Sequence, residues 1–266
     1  MASLSVIIIT KNEQHHIHDC IQSVAHVANE VIVLDSQSSD QTVAIAQSLG
    51  ALVSTSADWS GFGVQKNRAL SHATGDWVLS IDADERLSPE LAQEIKALLE
   101  YEPNYNSYSM QRLSWYCGRL IKYSGWQDDR VIRLFKRGYA VFTNDLVHER
   151  LVASATGQVD LISGQLQSSM MHYSFADFDQ VLGKVNRYSS LWAEQQFKEG
   201  KTASFSDAIL HAVAAFVKTY LIKRGFLDGV HGLALSLSNA QGAYYKYLKL
   251  WHLQLQAKNS SNSSKT

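Results

Sequence analysis

Apolar and polar residues alternate along the first hundred positions in two recurring patterns. Leu4 to Thr10 (LSVIIIT) is an unbroken, β-branched run, the pattern of a strand buried on both faces of a parallel sheet. Between Asn12 and Val27, the residues Ile17, Cys20, Ile21, Val24 and Val27 recur at spacings of three and four, which traces one face of an amphipathic helix. Glu30 to Leu34 (EVIVL) reads as a second strand ending in Asp35, and Ser36 to Gln41 leads into a helix through Val43, Ala46 and Leu49 that Gly50 stops. Ala51 to Ser54 is a short third strand, Val64 to Ala73 a helix, and Asp76 to Ile81 (DWVLSI) a fourth strand running into Asp82. Ser88-Pro89-Glu90 then opens a helix, with Ser88 as its cap and Pro89 at its first position.

This alternation predicts an α/β fold with a doubly wound, mostly parallel sheet, whose ligand site lies at the carboxyl ends of the strands. Thr10 to Glu13, Asp35 and Asp82 to Glu85 all fall at such ends. The regular pattern covers residues 1–103, mixed and aromatic-rich sequence follows over 104–175, and 176–257 is helical, from about Phe178 to Gly200 and from about Phe205 to Trp251. The polar, serine-rich tail 258–266 is expected to be disordered.

Composition narrows the class. The 266 residues are 45% hydrophobic and 18% charged with 2 prolines, which excludes collagen-like, coiled-coil and wholly disordered chains. The longest apolar stretch, Ala208 to Val217, falls short of the ~18 residues of a membrane span, so none is expected. The N-terminus lacks the charged region and apolar core of a secretory signal, and a cytoplasmic location is expected. Cys20 and Cys117 lie far apart in no paired motif, the pattern of reduced thiols. Net charge is -1, but residues 1–103 carry 5 Lys+Arg against 14 Asp+Glu and the remainder 19 against 11. Such a split suits cation binding in one part and an anionic partner in the other.

The sharpest chemical signal is Asp82-Ala83-Asp84 directly after an apolar strand. At period two its carboxylates face one side and can converge on a hard cation such as Mg²⁺ or Mn²⁺, whose coordination a nucleotide diphosphate completes; the plain alternative is a pair of acids solvating a loop. Asp35 is placed to read a ribose hydroxyl or base N–H, or else to cap the following helix. Thr10-Lys11-Asn12-Glu13 stands where a dinucleotide oxidoreductase carries its glycine-rich turn, which argues against that class. Gly125-Trp126-Gln127-Asp128-Asp129 sets two carboxylates beside an aromatic platform suited to a sugar face.

Read together, LSVIIITKNE, EVIVLDSQSSDQT, WSGFGVQKNRAL, GDWVLSIDADERLSPEL, YSGWQDDRVIRLFKR and VHERL resemble the inverting family-2 glycosyltransferases of GT-A fold. KVNRYSSLWA, KRGFLDG and YYKYLKLW extend the likeness to the bacterial lipopolysaccharide core β-1,4-glucosyltransferase group. The resemblance implies a GT-A-like sheet with 1–103 as its nucleotide-sugar half, 104–175 as its acceptor-side half and 176–257 as a helical extension. It implies that Thr10, Asn12, Glu13 and Asp35 hold the uridine side of a UDP-sugar and that Gln65, Lys66 and Arg68 line the donor pocket. Lys66 and Arg68 also read as ordinary helix-face cations. Asp82 is implied at the ribose or metal and Asp84 as principal metal ligand, flanking Ala83. The family's usual G-W-Y-P-D places the acceptor-side base on Asp129; Gln127 and Asp128 depart from that pattern, which leaves Asp128 and Glu149 as competitors. His148 is implied near the active centre as a metal or phosphate ligand, or as a hydrogen-bonded structural histidine. Arg133, Lys136 and Arg137 are placed to meet diphosphate or an anionic acceptor, or form a solvated basic edge. Relatives usually carry glycine at the positions of Gln37 and Gln41.

His15, His16 and His18 open the first helix without a completing ligand set and read as surface residues. Ile209 to Trp251 mixes apolar and aromatic residues with Lys218, Lys223, Arg224, Lys246 and Lys249, which suits either the surface of an anionic bilayer or a helical subdomain. The resulting expectation is an inverting transferase moving glucose from UDP-glucose onto a heptose of the lipopolysaccharide inner core. Its donor reaction uses a divalent metal, its acceptor lies at the cytoplasmic face of the inner membrane, and nucleic acid is not a partner. The alternatives are a family-2 transferase with another donor or glycan acceptor, and a non-catalytic nucleotide-sugar-binding scaffold.

Overall fold

The computed structural model describes residues 2–144, 149–154 and 161–263. Two compact units divide the chain, one of Met1–Leu113 with Asp129–His172 and one of Ser114–Asp128 with Tyr173–Thr266.

The first unit is the α/β part. Its elements begin β1 (Leu4–Thr10), α1 (Ile17–Val24), β2 (Glu30–Asp35), α2 (Thr42–Ser48), β3 (Leu52–Thr55), α3 (Phe62–Ser71) and β4 (Trp77–Ser80). A short β5 (Glu85–Leu87) and α4 (Pro89–Glu100) follow, then the long β6 (Ser107–Tyr116), whose end pairs with β7 (Arg119–Leu120). The unit is completed by β8 (Arg130–Lys136), β9 (Ala140–Phe142), β10 (Leu151–Ala153) and β11 (Ser163–Phe175). Among the described residues the main sheet runs β3-β2-β1-β4-β8-β6-β11-β5, and β9 and β10 form a separate pair. The β3-β2-β1-β4 half is parallel, as the alternation predicts, whereas β8, β6 and β5 pair antiparallel with their neighbours. This is the GT-A-like doubly wound arrangement, with a mixed rather than mostly parallel second half.

Burial explains the unbroken apolar run of β1. Leu4, Val6 and Ile8 enter one core with Ile17, Ile21 and Leu91, while Ile7 enters a second core with Ile32, Val78 and Phe135. A strand packed on both faces has no polar side to alternate with. The chain runs from β1 outward to β2 and β3, then returns to place β4 on the other side of β1. That reversal opens a crevice at the carboxyl ends of β1 and β4. Ser88 caps α4 as expected, its Oγ accepting from the Leu91 amide at 3.1 Å.

The second unit is helical. It consists of α5 (Phe178–Lys198), α6 (Phe205–Val217) continued by a π-helical turn (Lys218–Ile222), a 3₁₀ turn (Gly225–Asp228) and α7 (Gly229–Ser263). The single helix expected from Phe205 to Trp251 is broken at Arg224, which is left-handed at φ 55°, and at Gly229, at φ 64°. Asp228, buried at the break, accepts from the amides of Lys122 and Tyr123 at 2.9 and 3.0 Å and from Ser124 Oγ at 2.8 Å. Two expectations are corrected here. The tail from Lys258 is helical as far as Ser263, because α7 simply continues. The absence of a span is also revised: Phe205–Ile222 is an 18-residue segment of mean hydropathy 1.4, long and apolar enough to cross a membrane by length and composition. The helix runs through Lys218 rather than stopping before it, which is what lengthens the apolar stretch.

Candidate active site

The crevice in the first unit gathers the predicted residues from four directions. Parallel pairing sets Thr10 beside Asp35, and Thr10 Oγ1 donates to Asp35 Oδ1 at 3.1 Å. Asp35 is buried and also accepts from the Ser38 amide at 2.8 Å, so it shapes the loop after β2 as well as facing the strand ends. Asn12 ties the two loops together: its amide donates to Ser38 Oγ at 2.8 Å and its Oδ1 accepts from the Ser39 amide at 2.8 Å. Asn12 and Gln37 hold left-handed φ angles of 59° and 60° to make these turns. Ser36 Oγ is buried beside Asp35 without a partner among the described residues.

Asp82 and Asp84 lie in a turn after β4 rather than on an extended strand, so the period-two expectation does not apply and the two carboxylates have different partners. Asp82 is held by two cations, Lys66 Nζ at 2.9 Å from Oδ1 and Arg133 Nη2 at 2.5 Å from Oδ2. Burial alone raises a carboxyl, but Arg133 and Lys66 hold Asp82 far below the usual range. Arg133 Nη2 also donates at 2.5 Å to Glu85, which is fully buried. These two carboxylates keep the guanidinium charged against the cost of burial. Arg133 Nε is buried and unpartnered among the described residues, which leaves one donor for an anionic or hydroxyl group.

Lys66 reaches this cluster because α3 packs very closely on Thr143. A Cβ on Gly63 would lie 1.7 Å from the Thr143 carbonyl oxygen, so only glycine permits the approach. Lys66 is buried and joins Glu149, 2.7 Å away, to Asp82. Arg68 and Gln65 face elsewhere on α3: Arg68 Nη2 pairs with Asp58 at 2.9 Å, and Gln65 Nε2 donates to the Asp58 carbonyl at 2.6 Å. Both fix the loop before α3.

Glu13 is the carboxyl of the crevice whose affinity for its proton is raised. Its amide donates to Thr42 Oγ1 at 2.7 Å, and its side chain is raised to about 7 by burial and then by the neighbouring Asp84, Asp40 and Asp82, against a lowering effect of Arg86. Negative charge gathered by Glu13, Asp84 and Asp40, and only partly offset by Arg86, is the environment a dication settles. Asp84 Oδ2 lies 3.2 Å from His172 Nε2 on β11. That spacing also fits two neighbouring ligands of one octahedral ion with bonds of about 2.1 Å. No set of three or more His, Cys, Asp or Glu groups converges on a metal among the described residues. His148 lies outside those residues. Ala83 is buried between the two aspartates, its carbonyl receiving Arg86 Nη1 at 3.4 Å.

At the other end of the cluster, Asp129 Oδ2 accepts from Arg112 Nε and Nη2, both at 2.8 Å. Its partner is therefore Arg112, not the adjacent Arg130 or Arg133. Arg112 reaches Glu85 as well, at 3.3 Å, so Asp129, Arg112, Glu85, Arg133, Asp82, Lys66 and Glu149 form one continuous chain of charges. Asp128 is exposed and belongs to the second unit. Lys136 and Arg137 lie away from this chain of charges, with Arg137 Nε donating to the Gly75 carbonyl at 2.7 Å. Two participants escape a reading of the sequence. Arg112 and His172 sit on β6 and β11, and only the antiparallel pairing of those strands brings them to Glu85 and the Asp82 turn. Of these, His172 alone carries a local signal, as a histidine at the end of a long strand.

A doubly wound sheet that places two aspartates, buried cations and a clasped carboxylate at the carboxyl ends of its strands defines a nucleotide-sugar transferase of GT-A-like fold. The chain belongs to glycosyl transferase family 2, whose model matches residues 5–148, and it is a glycosyltransferase. An uncharacterized glycosyltransferase of Rickettsia prowazekii is 35% identical over 274 residues, covering 97% of this chain and 90% of the relative. The lipopolysaccharide core biosynthesis glycosyltransferase LpsC of Rhizobium meliloti is 27% identical over 253 residues, covering 93% of this chain and 92% of the relative. Among solved structures, glucosyl-3-phosphoglycerate synthase from Mycobacterium tuberculosis with Mn²⁺ and UDP is 27% identical, with a TM-score of 0.36 over 43% of this chain and 44% of that one.

Proposed function

We propose that the chain transfers a hexose from a UDP-sugar to a glycan acceptor with inversion, and that the acceptor is a lipopolysaccharide core. The observation that carries the acceptor is the near-full-length similarity to LpsC, which includes the helical C-terminal part. Glucose as donor sugar and an inner-core heptose as acceptor residue are the narrower form of this reading, supported by the motifs of the middle and C-terminal segments. Another nucleotide-sugar or glycan is the alternative within the same chemistry, since a few pocket side chains decide sugar preference.

In this reading Asp35 and Asn12 hold the uridine side, and Ser36 Oγ supplies a further hydroxyl. Asp84 and His172 would hold a divalent cation, with Glu13 beside them, and Mg²⁺ or Mn²⁺ there would supply positive charge against the departing diphosphate. Lys66 and Arg133 fix Asp82, and Arg133 Nε faces the substrate as a free donor. Asp129 takes the proton of the acceptor hydroxyl at Oδ1, the oxygen Arg112 leaves unbound. The acceptor oxygen bonds to the anomeric carbon as the bond from that carbon to the diphosphate breaks, and UDP departs.

Peripheral attachment to a membrane belongs to the same proposal. Ile209, Leu210, Val213, Leu221 and Ile222 are exposed along α6 and its π-helical turn, with Lys218 and Lys223 alongside. Such a face suits the interface of an anionic bilayer, where a lipid-anchored acceptor resides. The test is UDP release from a panel of UDP-sugars with purified, truncated lipopolysaccharide cores, with and without Mg²⁺ or Mn²⁺. Acceptor-dependent release supports the reading, and release with another donor replaces glucose while keeping the chemistry. Failure with every core tested overturns the acceptor.

A further inference from the structure

The second unit carries an open pocket of about 800 Å³ between α5, α7 and the π-helical turn. Its origin is legible in helical spacing. On α7 the lining positions are Leu235, Ser238, Asn239, Gly242, Ala243, Lys246 and Tyr247, and on α5 they are Val181, Lys184, Val185, Tyr188, Ser189 and Trp192. Each set recurs at three and four residues, one face of each helix. In the centre of those faces stand Ser189, Ser238, Gly242 and Ala243, residues too small to fill the space between the helices.

Lysines and aromatic rings line the remainder. Lys184, Lys218, Lys223 and Lys246 contribute to the wall, and no aspartate or glutamate does. Among the described residues Lys218, Lys223 and Lys246 have no carboxylate partner; Lys246 instead lies 5.8 Å from the centre of the Trp192 ring. Trp126 and Tyr188 add further flat faces. Ser124 Oγ and Ser189 Oγ already donate to Asp228 and to the Asn186 carbonyl, and Asn239 Nδ2 to Thr219 Oγ1, so what they offer a ligand is acceptor oxygen. A ligand for these walls carries negative charge for the ammonium groups, C–H faces for the rings and hydroxyls for the small polar side chains. Its size class is that of an oligosaccharide fragment.

We propose that this cavity binds a phosphorylated saccharide. Identifying that saccharide with the acceptor rests on the transfer reading above, but the binding itself does not, and it is measured without any donor present. The probe is the phosphorylated oligosaccharide released from lipopolysaccharide, titrated calorimetrically into the full chain before and after phosphatase treatment. Binding is expected, weakened about tenfold or more by removal of the phosphates and by added salt.

Gly242 supplies the structural control. A Cβ there meets only Val185 Cγ2 at 4.0 Å, so Gly242→Ala fits the helix and keeps the cavity open, whereas Gly242→Leu fills it. Binding is expected to persist in the alanine variant, to be lost in the leucine variant, and to weaken about fivefold in Lys223→Gln and in Lys246→Gln, with UDP affinity unchanged in all four. Equal affinity for the dephosphorylated oligosaccharide, or unaltered binding by Gly242→Leu, overturns the proposal. So does failure of the oligosaccharide to bind; if phosphatidylglycerol vesicles then bind in a manner lost in Gly242→Leu, the cavity is a lipid site. Loss of donor turnover alone would count against the transfer reading and leave this inference standing.

Discussion

Arg112 grips Asp129 with two nitrogens at 2.8 Å, both on Oδ2, while Arg112 is itself anchored 3.3 Å from the buried Glu85. The clasp fixes the direction of the carboxylate and leaves Oδ1 as the oxygen able to take a proton. In the proposed transfer, a carboxylate held this way would meet the acceptor hydroxyl in one approach geometry, as in-line attack on an anomeric carbon requires. The same ion chain ends on Glu149, so Asp129, Glu85, Asp82 and Glu149 share one electrostatic framework.

Asp129→Asn tests the base directly. The amide preserves shape but takes no proton, so kcat is expected to fall by about 10²- to 10⁴-fold with UDP affinity unchanged. Full turnover by this variant would remove Asp129 from the mechanism. Arg112→Lys keeps the positive charge but loses the two-nitrogen grip, and a drop in kcat with little change in donor KM is expected of a positioning residue.

Arg133→Ala strips the shared cation from two carboxylates at once. Glu85 is completely buried and is left with the more distant Arg112, 3.3 Å away, and the Asp82 amide at 2.9 Å, while Asp82 keeps Lys66, so the buried carboxylates lose their nearest shared cation. Destabilisation of about 3–5 kcal/mol is expected in urea denaturation. Arg133→Met combined with Glu85→Gln and Asp82→Asn removes the stranded charges and should recover a large share of that loss. A single variant within about 0.5 kcal/mol of the parent would show that the cluster is solvated in solution.

Glu13 gives the fold a pH dependence of defined sign. Its carboxyl is raised to about 7, from 4.5, by burial and by Asp84, Asp40 and Asp82. A carboxyl that holds its proton more tightly when folded stabilises the protein fully below about pH 4.5, and that contribution disappears as pH rises through 7. About 2 kcal/mol is at stake, allowing for the group's partial contact with solvent. Metal-free protein should therefore lose stability between pH 5 and 8 by roughly that amount, and Glu13→Gln should flatten this part of the profile. Added Mg²⁺ or Mn²⁺ should restore stability at the alkaline end in the parent but less in the variant. Identical profiles for the two proteins would dissociate Glu13 from the acidic cluster.

The parallel half of the sheet is legible because each strand is a contiguous apolar run and each carboxyl end carries its own polar residues: Thr10 to Glu13, Asp35 and Asp82 all follow such runs directly. The antiparallel half is not. β5 is three residues long and β7 two, too short to carry a period. Arg112 and His172 become site residues only through register, which places β11 beside β5 with His172 opposite Glu85. The turn at Asp82-Ala83-Asp84 defeats the strand-based reading for a related reason. Alternation assigns side-chain direction only while the backbone is extended, and here β4 has ended at Ser80. The break between α6 and α7 lies at Arg224 and Gly229, inside a segment whose apolar pattern is continuous on both sides.

Gln37 stands where family members usually carry glycine, and the structure gives the departure a measurable cost. Its φ is 60°, in the left-handed region, where a side chain's Cβ crowds the following carbonyl. The turn is held regardless, because Asp35 accepts from the Ser38 amide at 2.8 Å and Asn12 Oδ1 accepts from the Ser39 amide at 2.8 Å on either side of it. Gln41, the second such position, has φ -80° and needs no glycine. Gln37→Gly should thus relieve strain of about 1–2 kcal/mol while adding about 0.4–1 kcal/mol of unfolded-state entropy, for a net gain between zero and about 1.5 kcal/mol. Gln41→Gly carries only the entropic cost and should lower stability. Thermal denaturation of the two variants checks the pair: a stabilising Gln41→Gly, or a Gln37→Gly that destabilises by more than about 1 kcal/mol, would mean that the loop after β2 does not hold the conformation on which Asp35 and Asn12 depend.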